Sequence, residues 1–170
     1  MGFADFFRRK RDGEIEITEE AGYVCQPVSG EVIPLEDIGD DVFAAGILGK
    51  GCGIRPDSER VIAPFSGTIS VAAETGHAVG ITGADGVELL IHIGLDTVEM
   101  GGEGFEVNVK AGDKVKAGET LVRFNRKAIA DAGHPDVVAV LVANSGMFRD
   151  VDLICEGNGT VGRRLLEIVR

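Results

Sequence analysis

From about Tyr23 to the end of the chain, short apolar, β-branched runs alternate with Gly, Pro, Asp and Asn. Punctuation this dense breaks the 3.6-residue periodicity a long helix needs and leaves room only for short strands joined by tight turns. The 25 glycines fit many such turns. Strands are predicted at Val61–Ala63, Thr68–Val71, Val79–Thr82, Val87–Ile93, Phe105–Val109, Thr120–Phe124, Val137–Val142 and Leu165–Val169. Helix is expected only at 36–44 and 126–132. A spacing of about ten residues between strand starts reads as an all-β, antiparallel β-sandwich or barrel-sandwich hybrid.

A weak internal repeat agrees. Pro27-Val28-Ser29-Gly30-Glu31-Val32 recurs as Pro64-Phe65-Ser66-Gly67-Thr68-Ile69, each copy a turn feeding a strand. The 170 residues suffice for one domain with a real core and without disulfides. Cys25, Cys52 and Cys155 form no C-x-x-C pair and are expected as free thiols in a reducing compartment. No run approaches the ~18 apolar residues of a membrane span, and no hydrophobic signal core follows the basic N-terminus.

Residues 1–20 are expected to form a tail, disordered or amphipathic, and 21–170 the domain. The tail holds Phe3, Phe6 and Phe7 and then Arg8, Arg9, Lys10 and Arg11. Against Asp5 alone these four cations make +3 over the first eleven residues, which leaves −14 for the remainder of a chain whose total is −11. Wound as a helix, the tail suits an anionic membrane surface. The acidic remainder disfavours nucleic acid and favours partners with basic docking surfaces.

The chain has three histidines. His92 lies near the end of the run Val87-Glu88-Leu89-Leu90-Ile91-His92-Ile93. Side chains alternate across a strand, so Val87, Leu89, Ile91 and Ile93 face the core while Leu90 and His92 face outward. His77 follows Gly76, and Thr75 stands two residues before it, placed to bond one ring nitrogen and fix which nitrogen points out. His134, in Gly133-His134-Pro135, reads as a surface side chain. Imidazole suits phosphoryl transfer, because it keeps a neutral nucleophilic nitrogen near neutral pH.

The run Gly86-Val87-Glu88-Leu89-Leu90-Ile91-His92-Ile93-Gly94-Leu95-Asp96-Thr97-Val98-Glu99, followed by Gly101-Gly102-Glu103-Gly104-Phe105, resembles the signature of the glucose-type enzyme IIA of the bacterial phosphoenolpyruvate-dependent sugar phosphotransferase system. Ala63-Pro64, Ser66–Ile69, Glu74-Thr75, His77, Asp41–Ala44 and Ile47–Gly49 with Gly51 also fit. The resemblance covers about residues 21–170 and is strongest from 40 to 125.

It implies that His92 takes a phosphoryl group from the phosphocarrier protein HPr, as a phosphohistidine, and passes it to a cysteine on the enzyme IIB (EIIB) domain of a sugar permease. His77 is then the second active-site histidine, Thr75 orients it, and the carbonyl of Gly94 anchors the other nitrogen of His92. Phe43, Ile47, Leu48, Leu90 and Val98, with Asp40 and Asp96, form the implied docking patch. The resemblance also implies a cytoplasmic monomer, peripheral at the inner membrane face, that requires no cofactor. Zinc bridging His77, His92 and a partner, and regulated permeases or kinases as further partners, follow from it too. Two departures bear on patch shape: aliphatic Ala73 and Leu90 stand where the family often has aromatics. Gly76 replaces a common polar residue.

Two other readings stay open on the sequence. His92 and Asp96 have the H-x-x-x-D spacing of some zinc-dependent hydrolases, although the H-x-H that completes such sites is missing. The Gly112–Val115 turn is similar to non-catalytic lipoyl or biotinyl carrier domains, although no exposed Lys marks a hairpin tip.

Overall fold

The computed structural model describes residues 15–170. In these residues the chain forms β1 (Tyr23–Cys25), β2 (Gly30–Pro34), the one-turn helix α1 (Asp41–Ala44), β3 (Lys50–Pro56), β4 (Arg60–Ile62), β5 (Gly67–Ala72), β6 (Ala78–Gly83) and β7 (Glu88–Ile93). β8 (Phe105–Val107), β9 (Lys114–Val115), β10 (Thr120–Phe124), α2 (Arg126–Asp131), β11 (Val138–Val142), β12 (Asp150–Leu153), β13 (Gly157–Gly159) and β14 (Arg164–Val169) follow.

The strands make an eight-stranded sheet in the order β13-β2-β3-β11-β7-β6-β5-β9 and two three-stranded sheets, β1-β14-β12 and β4-β10-β8. The pairings are antiparallel. This is the expected all-β architecture with little helix.

Two apolar clusters hold the sheets. The larger draws Val61, Leu121 and Phe124 from one small sheet, Leu165 and Leu166 from the other, and Ile54, Ile81, Leu89, Ile91 and Val140 from the large one. The smaller lies on the opposite face of the large sheet, where Ile33, Ala139 and Leu141 meet Leu35, Ile38, Phe43 and Leu95. β11 feeds both: Val138, Val140 and Val142 face the larger cluster, Ala139 and Leu141 the smaller. That double burial explains why its sequence is an unbroken apolar run rather than an alternating one.

The internal repeat is structural. Gly30 and Gly67 each open a strand, and at each a Cβ would run into a carbonyl oxygen of the neighbouring strand, Arg55 for one and Thr82 for the other. The expected helix at 36–44 is interrupted. A 3-10 turn at Leu35–Asp37 and α1 are separated by Gly39, at φ +91°, and by extended Asp40.

The body also begins earlier than residue 21. Ile15 N–H donates to the Gly118 carbonyl, Glu19 accepts from the backbone and hydroxyl of Ser66, and Glu20 pairs with Arg164. Residues 15–20 therefore lie on the domain, and the basic, Phe-containing stretch expected to touch a membrane falls outside the described residues. Cys25, Cys52 and Cys155 are free, and burial holds the Cys52 thiol far above its ordinary range. No helix among the described residues is long and apolar enough to cross a membrane.

Candidate active site

Alternation in β7 sends Leu89, Ile91 and Ile93 into the larger cluster and turns Leu90 and His92 to the other face. His92 Nδ1 lies 2.9 Å from the carbonyl oxygen of Gly94. A carbonyl only accepts, so Nδ1 carries the proton and donates it, which leaves a neutral ring with a bare lone pair on Nε2.

The turn that supplies this carbonyl is held from several sides. Gly94 sits at φ +77° and donates its N–H to Val137, while Leu95 N–H donates to Pro135. A Cβ at Gly94 would run into the Thr97 methyl and stand 2.9 Å from the Pro135 carbonyl. The buried Thr97 hydroxyl donates to the Ile93 carbonyl at 2.5 Å, and Asp96 adopts the left-handed conformation at φ 60°. A non-Gly residue in that region is uncommon and persists where its surroundings impose it.

His77 comes in just ahead of β6, where Ala78 stands opposite His92. Ile93 N–H donates to the His77 carbonyl at 2.7 Å, which ties the two histidine-bearing segments together. The rings meet edge to face, with centroids 5.0 Å apart and planes at 76°. Thr75 Oγ1 is 2.6 Å from His77 Nδ1, so the outward nitrogen of this ring is also Nε2.

Phe43 tilts against His92, centroids 5.2 Å apart. Burial lowers the pKa of both imidazoles; for His92 the neighbouring His77 lowers it further, while the Gly94 carbonyl, Asp40 and Asp96 pull it up.

The residues anticipated as a docking patch divide into two groups. Ile47, at 72% exposure, Leu48, Val98 and Asp96 face solvent. Leu90 is half-buried against the smaller cluster. Phe43 and Gly94 are buried, Phe43 within the smaller cluster. Asp40 is half-buried and caps α1, accepting from Val42 N–H at 2.9 Å and Phe43 N–H at 3.1 Å.

Val42 is exposed on α1 and escaped the sequence reading, because a four-residue helix has no periodic stripe to mark its outward side. His134 departs from the surface expectation. Its side chain is only 14% exposed, with Nε2 3.8 Å from a Glu99 carboxylate oxygen. Among the described residues no group of three or more His, Cys, Asp and Glu is placed to hold a metal ion. His77 and His92 would give zinc two nitrogens, and the remaining ligands would have to come from a partner.

This arrangement meets its counterpart in known proteins. The family model described as phosphoenolpyruvate-dependent sugar phosphotransferase system, EIIA 1, matches residues 22–148, and the chain belongs to that family, whose members are phosphotransferase components. The chain is similar to a glucose-specific EIIA component of Oceanobacillus iheyensis, 35% identical over 168 residues that cover 98% of this chain and 99% of the relative. A glucose-specific EIIBCA component of Corynebacterium glutamicum is 42% identical over 75% of the chain, but over only 19% of its own length. The chain thus spans about a fifth of such fused relatives. In three dimensions it superimposes on glucose permease IIA from Mycoplasma capricolum with a TM-score of 0.78 at 33% identity, covering 89% of this chain and 98% of that one. The match to this family sets aside the hydrolase and carrier-domain readings.

Proposed function

We propose that the protein is a phosphoryl relay. His92 Nε2 accepts the phosphoryl group of phospho-HPr and hands it to a cysteine of the EIIB domain of a sugar permease. The observation that carries this reading is the Nδ1 bond of His92 to Gly94, made within 5.0 Å of a second imidazole. A ring whose Nδ1 proton is already committed offers only Nε2 as nucleophile.

In the first step the P–N bond of the donor breaks as the P–Nε2 bond of His92 forms. In the second, the EIIB thiolate attacks phosphorus, a P–S bond forms, and the electron pair of the P–Nε2 bond returns to Nε2. The proton stays on Nδ1, donated to the Gly94 carbonyl, throughout. Neither step consumes water, and turnover is one phosphate per cycle. Phosphoryl transfer passes through a loose transition state with charge on the equatorial oxygens, so the protein's work is positioning and charge stabilisation. His77, accepting from the Thr75 hydroxyl at Nδ1, turns a Nε2–H donor toward those oxygens.

The exposed Ile47, Leu48 and Val98 receive the partners in turn, with Leu90 beside them and Phe43 beneath. Asp40 and Asp96 match cationic side chains on those partners. The same reading puts the protein on the cytoplasmic side of the membrane, close to its permease, as a monomer. A zinc ion held by His77, His92 and a partner's carboxylate would lock a complex on this face. Regulated permeases or kinases would use the same patch.

The test is incubation with labelled phosphoenolpyruvate, enzyme I and HPr. Wild-type protein should acquire acid-labile, base-stable phosphate, and His92→Ala should acquire none. His77→Ala should accept phosphate but pass it to EIIB about 10²-fold or more slowly, the size of loss seen when one transition-state donor is removed. Full phosphorylation of His92→Ala would end the reading.

A further inference from the structure

Asp96 and Val98 face solvent, yet Thr97 between them is 0% exposed. A hydroxyl withdrawn from water is kept where it makes a bond, because an unpaired one is costly. Thr97 opens a 3-10 turn at Thr97–Met100, which receives no side-chain cap from Asp96. The Thr97 hydroxyl reaches back instead to the Ile93 carbonyl, four residues earlier, at 2.5 Å.

Two consecutive peptide groups carry the effect of that bond to His92. The Ile93–Gly94 peptide is held at its carbonyl by the Thr97 hydroxyl and at its N–H by the Val137 carbonyl. The Gly94–Leu95 peptide gives its N–H to the Pro135 carbonyl, and its own carbonyl accepts from His92 Nδ1. The two peptides join at Gly94, a residue at φ +77° whose missing side chain leaves the joint free to pivot. Thr97 restrains that joint twice, through the Ile93 carbonyl and through its methyl, which occupies the place a Gly94 Cβ would take.

We propose that Thr97 is a positioning residue for phosphoryl transfer: its hydroxyl, bonded to Ile93, holds the Gly94 turn in the orientation that aims a carbonyl at His92 Nδ1, and so keeps the lone pair on Nε2. The kinetic consequence rests on the relay reading; the effect on the ring does not. A neutral imidazole carries its proton on either nitrogen, and the bond made at one decides the state of the other. When the Gly94 carbonyl swings away, Nδ1 loses its acceptor and part of the population carries the proton on Nε2. A ring in that state offers no nucleophile to the donor phosphate. Valine has nearly the shape of threonine, so Thr97→Val deletes the bond while the methyl contact with Gly94 stays. The Ile93 carbonyl is then left without the hydroxyl, and the turn must move to satisfy it.

The test compares wild type, Thr97→Val, Thr97→Ala and Thr97→Ser, with Val151→Ala as a control that opens the larger cluster at β12. The two ring-nitrogen shifts of His92 are read by 15N NMR on the unphosphorylated protein at about pH 8, where the ring is neutral. In wild type and Thr97→Ser they should stand far apart, as one fixed tautomer requires. In Thr97→Val and Thr97→Ala they should draw together. Transfer from phospho-HPr should lose about 3- to 10-fold in kcat in those two variants with KM within about twofold, since the docking surface is untouched while the nucleophile is misplaced. Thr97→Ser should restore kcat, and Val151→Ala should lower the thermal midpoint without moving either nitrogen. Where Thr97→Val does not fold, Thr97→Ala against Thr97→Ser decides, and in wild type the Thr97 hydroxyl proton should exchange slowly enough to be observed. Ring shifts in the folded Val or Ala variant that match wild type, a loss that Ser fails to restore, an equal change in Val151→Ala, or a rapidly exchanging hydroxyl would overturn the proposal. Wild-type protein that takes no phosphate from phospho-HPr would overturn the relay reading instead, and the ring shifts would still judge Thr97.

Discussion

His92 is half-buried beside Phe43 and His77, and that loss of water, ahead of any neighbouring charge, holds its pKa below the ordinary imidazole value of about 6.5. His77 acts in the same direction; the Gly94 carbonyl, Asp40 and Asp96 oppose it without reversing it. A histidine with a depressed folded pKa favours the neutral form in the folded state. Its contribution to stability is therefore complete above about 6.5, where the unfolded ring is also neutral, and is lost as pH falls through the folded pKa. The lone pair on Nε2 follows the same course. An NMR titration of the His92 ring should give a midpoint below 6.5, and His77→Ala should move it upward, because a like charge and part of the burial go together. Phosphate acceptance should stay level from pH 8 down to about 6.5 and decline below it. A midpoint above the ordinary value would contradict the burial argument.

At the scale of elements, the proposed docking patch depends on α1, a single turn too short to be stable on its own. Asp40 satisfies two of its free N–H groups, and the N–H groups of Ala44 and Ala45 close on the carbonyls of Asp40 and Asp41. Asp40→Ala should cost about 1 kcal/mol in chemical denaturation and speed amide exchange at Ala44 and Ala45 while leaving Ile91 and Ile93 in β7 protected. Asp40→Asn keeps the cap and removes the charge. It should restore the slow exchange while lowering the His92 titration midpoint, which separates the two roles of this carboxylate. If exchange at Ala44 and Ala45 is the same in wild type and Asp40→Ala, the cap is not what holds the turn.

At the scale of the molecule, the charge of −11 draws basic partners over distances longer than any contact. Screening shortens that reach, from a Debye length of about 10 Å at 0.1 M salt to about 3 Å at 1 M. If the proposed relay holds, KM for phospho-HPr should accordingly rise by about 3- to 10-fold between 0.05 and 0.5 M NaCl. The thermal midpoint should hold or increase as self-repulsion weakens. A KM indifferent to salt would show that the apolar patch alone governs docking.

The period-two pattern around His92 was enough to tell which way the imidazole faces, since one face of β7 must be buried and Leu89, Ile91 and Ile93 are the residues that can fill it. Spaced β-branched runs and glycines likewise determined an antiparallel β architecture. Thr75 and His77 lie two residues apart, close enough for local sequence to imply their bond. β3 went unread because Gly51 and Gly53 look like turn residues, yet they lie within a strand paired on both sides. Phe43 entered the expected patch through likeness to a family; that its side chain is buried in the smaller cluster shows only in the tertiary structure. The approach of His77 to His92 was expected through likeness to a family, but the contacts that produce it lie outside either local sequence. They are the Ile93-to-His77 backbone bond, the pairing of Ala78 with His92, and the 135–137 segment pinning the Gly94 turn. Periodicity reports which side of its own strand a residue occupies. Which strands become neighbours, and at what register, is settled by long-range pairing and by the packing of two separate cores.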